Sequence, residues 1–324
     1  MLKSKYTSFN EGDIMNNVTK EIFAHHEVRK TKAQRKAFRD YALSYARAEG
    51  YEARVEKGAR GAHNLIVGNP STAEVVYTAH YDTCAVMPIP NFITPKCIPI
   101  YILYQLVLTF LVYIIPASVM IGARHVLDAT DSSLLFTLTL LGGYLLLVLF
   151  TVLLIAGPAN KHTANDNTSG VALLLELMQD MPKELRGKVA YIFFDLEEHG
   201  LIGSKSFAAK HSALSKKMLV VNFDCVSDGK NILIAPRKKV RCFSDKLGEA
   251  FKSNDGYTVD IATKGVFYPS DQYSFARGVG VAALKKTKGG LLYMNRIHTP
   301  RDTVYDEENI EFLKNGAIEF ARII

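Results

Sequence analysis

Cysteine is scarce in this 324-residue chain, and the four present (Cys84, Cys97, Cys225 and Cys242) show neither a CxxC spacing nor a dense framework. That excludes a disulfide scaffold, and they read as reduced thiols. Met1 to His26 mixes Lys, Asp, Asn and Glu with no apolar core run. A secretory signal peptide is therefore excluded there, and the first half is expected to be made in the cytosol. No internal repeat or low-complexity segment is evident. The net charge of +7 is concentrated in two clusters: Arg29, Lys30, Lys32, Arg35, Lys36 and Arg39 on one predicted helix, and Arg237, Lys238, Lys239 and Arg241 further on. Neither is accompanied by stacking aromatics or a recognised binding motif, which argues against nucleic acid. A solvated face or contact with anionic headgroups suits them instead. Tryptophan is absent altogether.

What the chain does have is two uncharged apolar runs, Ile98 to Gly122 and Leu134 to Ala156, each as long as the ~20 residues of helix that cross a bilayer. They are joined only by Ala123 to Ser133. Chemically reactive residues lie on both sides of the pair, so the insert is expected to cross an even number of times, as a transmembrane hairpin. The loop holds Arg124 against Asp128 and Asp131, while Lys96 and Lys161 flank the outer ends. Positive-inside then puts the flanking halves in the cytoplasm. The expected organisation is a first domain segment at 1–97, the hairpin at 98–157 (spans about 98–122 and 134–156) and a second domain segment at 158–324.

Around the insert, strand and helix patterns alternate. Val28 to Glu49 has helical periodicity and stops at Gly50. Ala53 to Glu56, Asn64 to Gly68 and Glu74 to His80 read as strands, followed after the insert by a helix from Ser169-Gly170 and a buried strand over Lys188 to Leu196. Further helices (Ser204 to His211, Asp245 to Lys252, Glu307 to Ala321) and strands (Met218 to Asp224, Val281 to Leu284, Leu291 to Met294) complete the pattern. Such alternation predicts an α/β fold with a mostly parallel central sheet flanked by helices, and ligands gather at the carboxyl ends of its strands.

That is where the acidic and imidazole residues fall. His80-Tyr81-Asp82 ends one strand, with both side chains on one face, so Asp82 is placed to hold the far nitrogen of His80. Cys84, close behind, reads as a packing residue. Asp166 sits in Asn165-Asp166-Asn167-Thr168-Ser169-Gly170 just ahead of a helix. Glu197 and Glu198 follow an apolar strand directly and diverge, so that one can bind a metal while the other faces a water. Asp224 closes a third strand, and His298 stands in Ile297-His298-Thr299-Pro300-Arg301-Asp302. Two imidazoles and three carboxylates, besides one unassigned glutamate, suit two divalent ions sharing a bridging carboxylate.

The series H-x-D, N-D-x-x-S-G, E-E-x-G-x-x-G-S, D and H-T-x-x-D resembles the M28 family of zinc metallopeptidases. The resemblance implies a phosphorylase/hydrolase-like fold of the zinc-exopeptidase type, and two divalent ions, zinc by family habit. By position, His80 and Asp224 would complete one metal, Glu198 and His298 the other, with Asp166 as bridge and Glu197 as general base; Asp82, behind His80, is the other catalytic candidate. The implied activity is aminopeptidase hydrolysis of N-terminal residues from peptides, here by a membrane-tethered enzyme whose substrates are apolar or membrane-associated. The family's Ser-Asp-His segment is replaced by Ser270-Asp271-Gln272, and with Tyr273 these residues are candidates for substrate positioning. Two alternatives stay open. One is a single-zinc glutaminyl-cyclase-like enzyme, whose pocket is usually tryptophan-lined whereas this chain has no Trp; the other is a catalytically inactive peptidase-like membrane scaffold.

Overall fold

The computed structural model describes residues 16–87, 89–128 and 133–324, apart from some side chains between 115 and 155. The readings placed on residues 1–15 and on 129–132 of the connecting loop lie outside the described residues. The chain runs α1 (Asn17–His25), α2 (Lys32–Ala48), β1 (Ala53–Lys57), β2 (His63–Val67), β3 (Val75–His80), α3 (Ile98–Thr109), α4 (Ile115–Asp128), α5 (Ser133–Ala156), α6 (Gly170–Asp180), β4 (Val189–Phe194), α7 (Ile202–Lys210), α8 (Ser212–Ser215), β5 (Leu219–Phe223), β6 (Asn231–Pro236), α9 (Ser244–Ala250), β7 (Thr258–Ile261), β8 (Arg277–Lys286), β9 (Leu292–Tyr293) and α10 (Glu307–Ile323).

One sheet holds the strands in the order β1-β2-β4-β3-β5-β8-β6-β7, with β9 beside β8. The expected mostly parallel sheet is in fact mixed. β4-β3-β5-β8 are parallel at the centre, whereas β1-β2, β2-β4, β6-β8 and β8-β9 are antiparallel. For β1-β2 the reason is connection length: only 58–62 join them, far short of a parallel crossover. The central β3, β4 and β5 are buried along their whole length, as a sheet covered on both faces requires. Alternation splits each strand between two cores. Tyr77 and Ala79 face a core built with α1, α2, α6 and α10, while Val76, Ile192 and Phe194 pack with Phe207 of α7 and Phe275.

The basic stretch 29–39 does not form a single solvated face. Helix α2 begins only at the Thr31–Gln34 capping box, which leaves Arg29 before it. The Arg29 guanidinium is fully buried and donates to the carbonyls of Tyr81 (2.5 Å), His26 (2.6 Å) and Glu27 (3.0 Å) and to Thr168 Oγ1 (3.2 Å). Arg35 pairs with the buried Asp195 at 2.8 Å, and Arg39 donates to Tyr81 Oη at 3.0 Å. Three of the six cations thus tie the N-terminal segment to the sheet.

The apolar insert is a helical hairpin, but no helix among the described residues is long and apolar enough to cross a membrane. This overturns the transmembrane reading and the bilayer topology and localisation built on it. The first run is not one helix: α3 stops at Thr109, the backbone widens to a π-helical turn over Phe110–Ile114, and α4 carries Arg124 and His125 towards its end. Helices α4 and α5 pack along each other, with the Met120 side chain lying against Gly143. The base of the hairpin is tied to the domain by the Phe92–Tyr104 and Tyr101–Phe267 ring contacts, both 5.8 Å between centroids.

Candidate active site

The residues singled out at the strand ends converge. His80 is the last residue of β3, Glu197 and Glu198 leave β4 through Asp195 and the left-handed Leu196, and Asp224 follows β5. Asp166 comes from the irregular turn Ala164–Ser169 that opens α6. That turn is held by its own side chains: Asn167 accepts from Gly170 N at 3.0 Å and donates to Phe223 O at 3.1 Å, and Asn165 accepts from Ser227 N at 2.7 Å. A Cβ at Gly170 would lie 2.4 Å from Asn167 Oδ1 and 2.6 Å from Phe223 O, so glycine is required there.

Asp166 lies between the two imidazoles and offers each a different oxygen. His80 Nε2 is 3.3 Å from Asp166 Oδ1 and 3.4 Å from Asp224 Oδ1, while His298 Nε2 is 3.0 Å from Asp166 Oδ2 and 3.3 Å from Glu198 Oε2. His80, Asp166 and Asp224 form one group of donor atoms within 4.8 Å of one another; His80, Glu197 and Glu198 form a second, and Cys84, Glu198 and His298 a third.

The electrostatics are those of an anionic cluster in want of cations. Burial pushes the Glu198 carboxyl up to about 8, with Asp166 adding to the rise against His298. Asp302 rises to about 8 through burial and then Asp166. Burial takes Asp271 to about 7. Glu197 is held well above the carboxylate range by burial, against His80 and with Glu198, Asp224 and Asp271 reinforcing it. Burial disfavours charge on both imidazoles, yet surrounding carboxylates, Glu197 foremost for His80 and Glu198 for His298, raise them, His298 to about 9. Glu198 Oε1 is buried without a hydrogen-bond partner. Neutral-imidazole nitrogen and carboxylate oxygen in this proportion match the donors zinc prefers, so the residues present fit divalent metal.

Peptidase family M28 matches residues 151–320, more than half of the chain. The chain belongs to that family. No curated protein matches it in sequence. Solved structures of the same fold include the Legionella pneumophila LapA aminopeptidase (14% identity, 94% of this chain and 69% of that one, TM-score 0.53). A Tannerella forsythia glutaminyl cyclase is similar too (14% identity, 94% and 96% covered, TM-score 0.58), as is a Zn-dependent exopeptidase from Parabacteroides distasonis (15% identity, 96% and 100% covered, TM-score 0.53).

Within this M28 chain Asp82 takes a different position from the one its spacing suggests. The far nitrogen of His80 lies 3.1 Å from the Asp82 carbonyl and 3.7 Å from its carboxylate. That carboxylate instead accepts the backbone N–H groups of Glu197 (2.9 Å) and Glu198 (3.2 Å), and so orients the glutamate pair. The segment 270–273 does not line the site cavity. Ser270 and Gln272 are buried acceptors for Asn222 Nδ2 at 3.0 and 3.1 Å, and Tyr273 lies under Arg237. Asp271 is wholly buried and neither of its carboxylate oxygens has a hydrogen-bond partner.

The cavity over the cluster holds about 190 Å³; its apolar wall comes from Ile93, Tyr101, Phe267, Met294 and Ile297. Sequence reasoning missed these residues, because Tyr101 belongs to an insert whose apolar character pointed elsewhere. It also gave no role to Asp302, whose two oxygens accept from Asn165 N (2.9 Å) and Asp166 N (3.0 Å) and fix the central aspartate. The H-T-x-x-D motif contained Asp302, and its signal was the acid four residues past His298.

Proposed function

We propose that this chain is an exopeptidase of the aminopeptidase type that works with two divalent ions, zinc by its donor set. The reading rests above all on Asp166, whose two oxygens face His80 and His298 separately. His80, Asp224 and Asp166 would hold one ion, and Glu198, His298 and Asp166 the other. Bound there, the pair would supply Lewis acidity to the scissile carbonyl and to the attacking water. Glu197, left without a ligand role, takes the proton from that water and delivers it to the leaving amine. Asp82 keeps Glu197 and Glu198 in register through their N–H groups. The wall formed by Tyr101, Phe267, Ile93 and Met294 favours an apolar side chain on the residue being released.

Purified protein should carry close to two divalent ions per chain, lose activity to a chelator and release apolar N-terminal residues from aminoacyl reporters. A stoichiometry that stays at one in excess metal, with cyclisation of N-terminal Gln, would replace this reading by that of a cyclase.

A further inference from the structure

The segment after His80 returns to the site. Asn160 N donates to Cys84 O at 3.1 Å, Val86 N to Pro158 O at 2.9 Å and Met87 N to His298 O at 2.8 Å, so 84–87 is clamped between 158–160 and the His298 turn. The Cys84 side chain is 3% exposed, and its sulfur lies within 4.8 Å of donor atoms of both Glu198 and His298. Glu198 itself is nine-tenths buried, with Oε1 lacking any hydrogen-bond partner. A packing role accounts for the burial of Cys84 but not for an unmet carboxylate oxygen in the same group.

From this geometry we infer that Cys84 is a thiolate ligand of the metal held by Glu198 and His298. The inference rests on the metal-dependent reading above. On binding, the S–H bond breaks, the proton leaves to water and the sulfur lone pair is donated to the ion, with no change of oxidation state. Asp166, Glu198, His298 and Cys84 would together offer the ion donors of mixed S, N and O type, all of which zinc accepts. The softness of sulfur would turn this half of the site away from magnesium, calcium and manganese.

Cobalt(II) substitution tests this without measuring turnover. Cobalt bound to the wild-type protein should show visible d–d bands together with a near-ultraviolet sulfur-to-cobalt charge-transfer band. Cys84→Ser should lose the charge-transfer band, while Cys225→Ser, which alters the thiol 3.2 Å from Asp224 Oδ1, should keep it. A variant carrying Cys97→Ser, Cys225→Ser and Cys242→Ser, with Cys84 intact, should also keep it, and this guards against failure of Cys84→Ser to fold. Visible d–d bands with no charge-transfer band in the wild type would overturn the ligand assignment and leave the metal-dependent reading standing. Loss of the band in Cys225→Ser alone would overturn it in favour of the other thiol, and absence of all cobalt bands would overturn both.

Discussion

The proposed mechanism gives the neighbours Glu197 and Glu198 different duties, and the way β4 ends holds both at the site. Leu196 in the left-handed region turns the chain, and the Asp82 carboxylate grips both N–H groups, which holds the pair at the strand end with oxygens of both near His80. Glu198 meets His298 at 3.3 Å. On the proposed assignment Glu197 is the residue left for proton transfer. Glu197→Gln should therefore keep the metal content while lowering kcat by at least about a hundredfold, since only the proton shuttle is removed. Atomic absorption beside steady-state kinetics checks this, and loss of metal with the same change would mean that the roles of the two glutamates are exchanged.

At the scale of elements, the hairpin is more than an appendage. Its first helix, α3, sends Tyr101 into the wall of the site cavity, where the ring lies 5.8 Å from Phe267, itself in edge contact with Tyr273 at 6.4 Å. The insert and the 267–273 loop therefore meet over the imidazole–carboxylate cluster. Truncating Tyr101 to Ala removes apolar contact from one side of the cavity. In such a pocket a change of this kind alters discrimination by roughly tenfold or more. The ratio of kcat/KM for leucyl over alanyl reporters should fall by about that factor in Tyr101→Ala, with the alanyl value little altered. Parallel losses on both reporters would show that Tyr101 supports the fold of the site and does not select the side chain.

Across the whole molecule, the cost of the site is an acidic cluster buried at the centre of the sheet. Carboxyls whose folded values are raised, Glu198 and Asp302 to about 8 and Asp271 to about 7, contribute stability below their unfolded values that is lost as pH rises through the folded ones. His298, raised to about 9, acts in the same direction, its contribution being full below about 6.5 and lost by about 9. Metal-free protein should therefore unfold at lower urea concentration at pH 8 than at pH 6. Zinc bound to the proposed site in preference to the unfolded chain would add up to about 2.7 kcal/mol at about a hundred times Kd. It should restore the midpoint at pH 8, and a metal-free midpoint that rises between pH 6 and 8 would contradict this account.

The order of the motifs was legible in the chain because each reactive residue sits where an apolar strand must end. VVYTAH, VAYIFF and LVVNF are buried throughout, so His80, Glu197, Glu198 and Asp224 are delivered to one edge of the sheet whatever the loops do. Local pattern also placed α6, α7 and α10 to within a few residues, since periodicity and helix ends are short-range properties. Other features depended on contacts distant in sequence. β6 and β7 went unread, and the antiparallel flanks follow from loop lengths and partners that periodicity does not encode. Arg29 looks like part of a solvated basic helix until three carbonyls and Thr168 surround it. Apolar composition suggested that 98–156 crosses a bilayer, whereas its path through a π turn and its Tyr101 contact with the site were set by packing. The sequence alone thus determined which residues reach the strand ends, because burial of each strand is a local demand; the tertiary structure decided what stands beside them, Asp302, Cys84 and Tyr101 included, because those neighbours come from segments that only folding brings together.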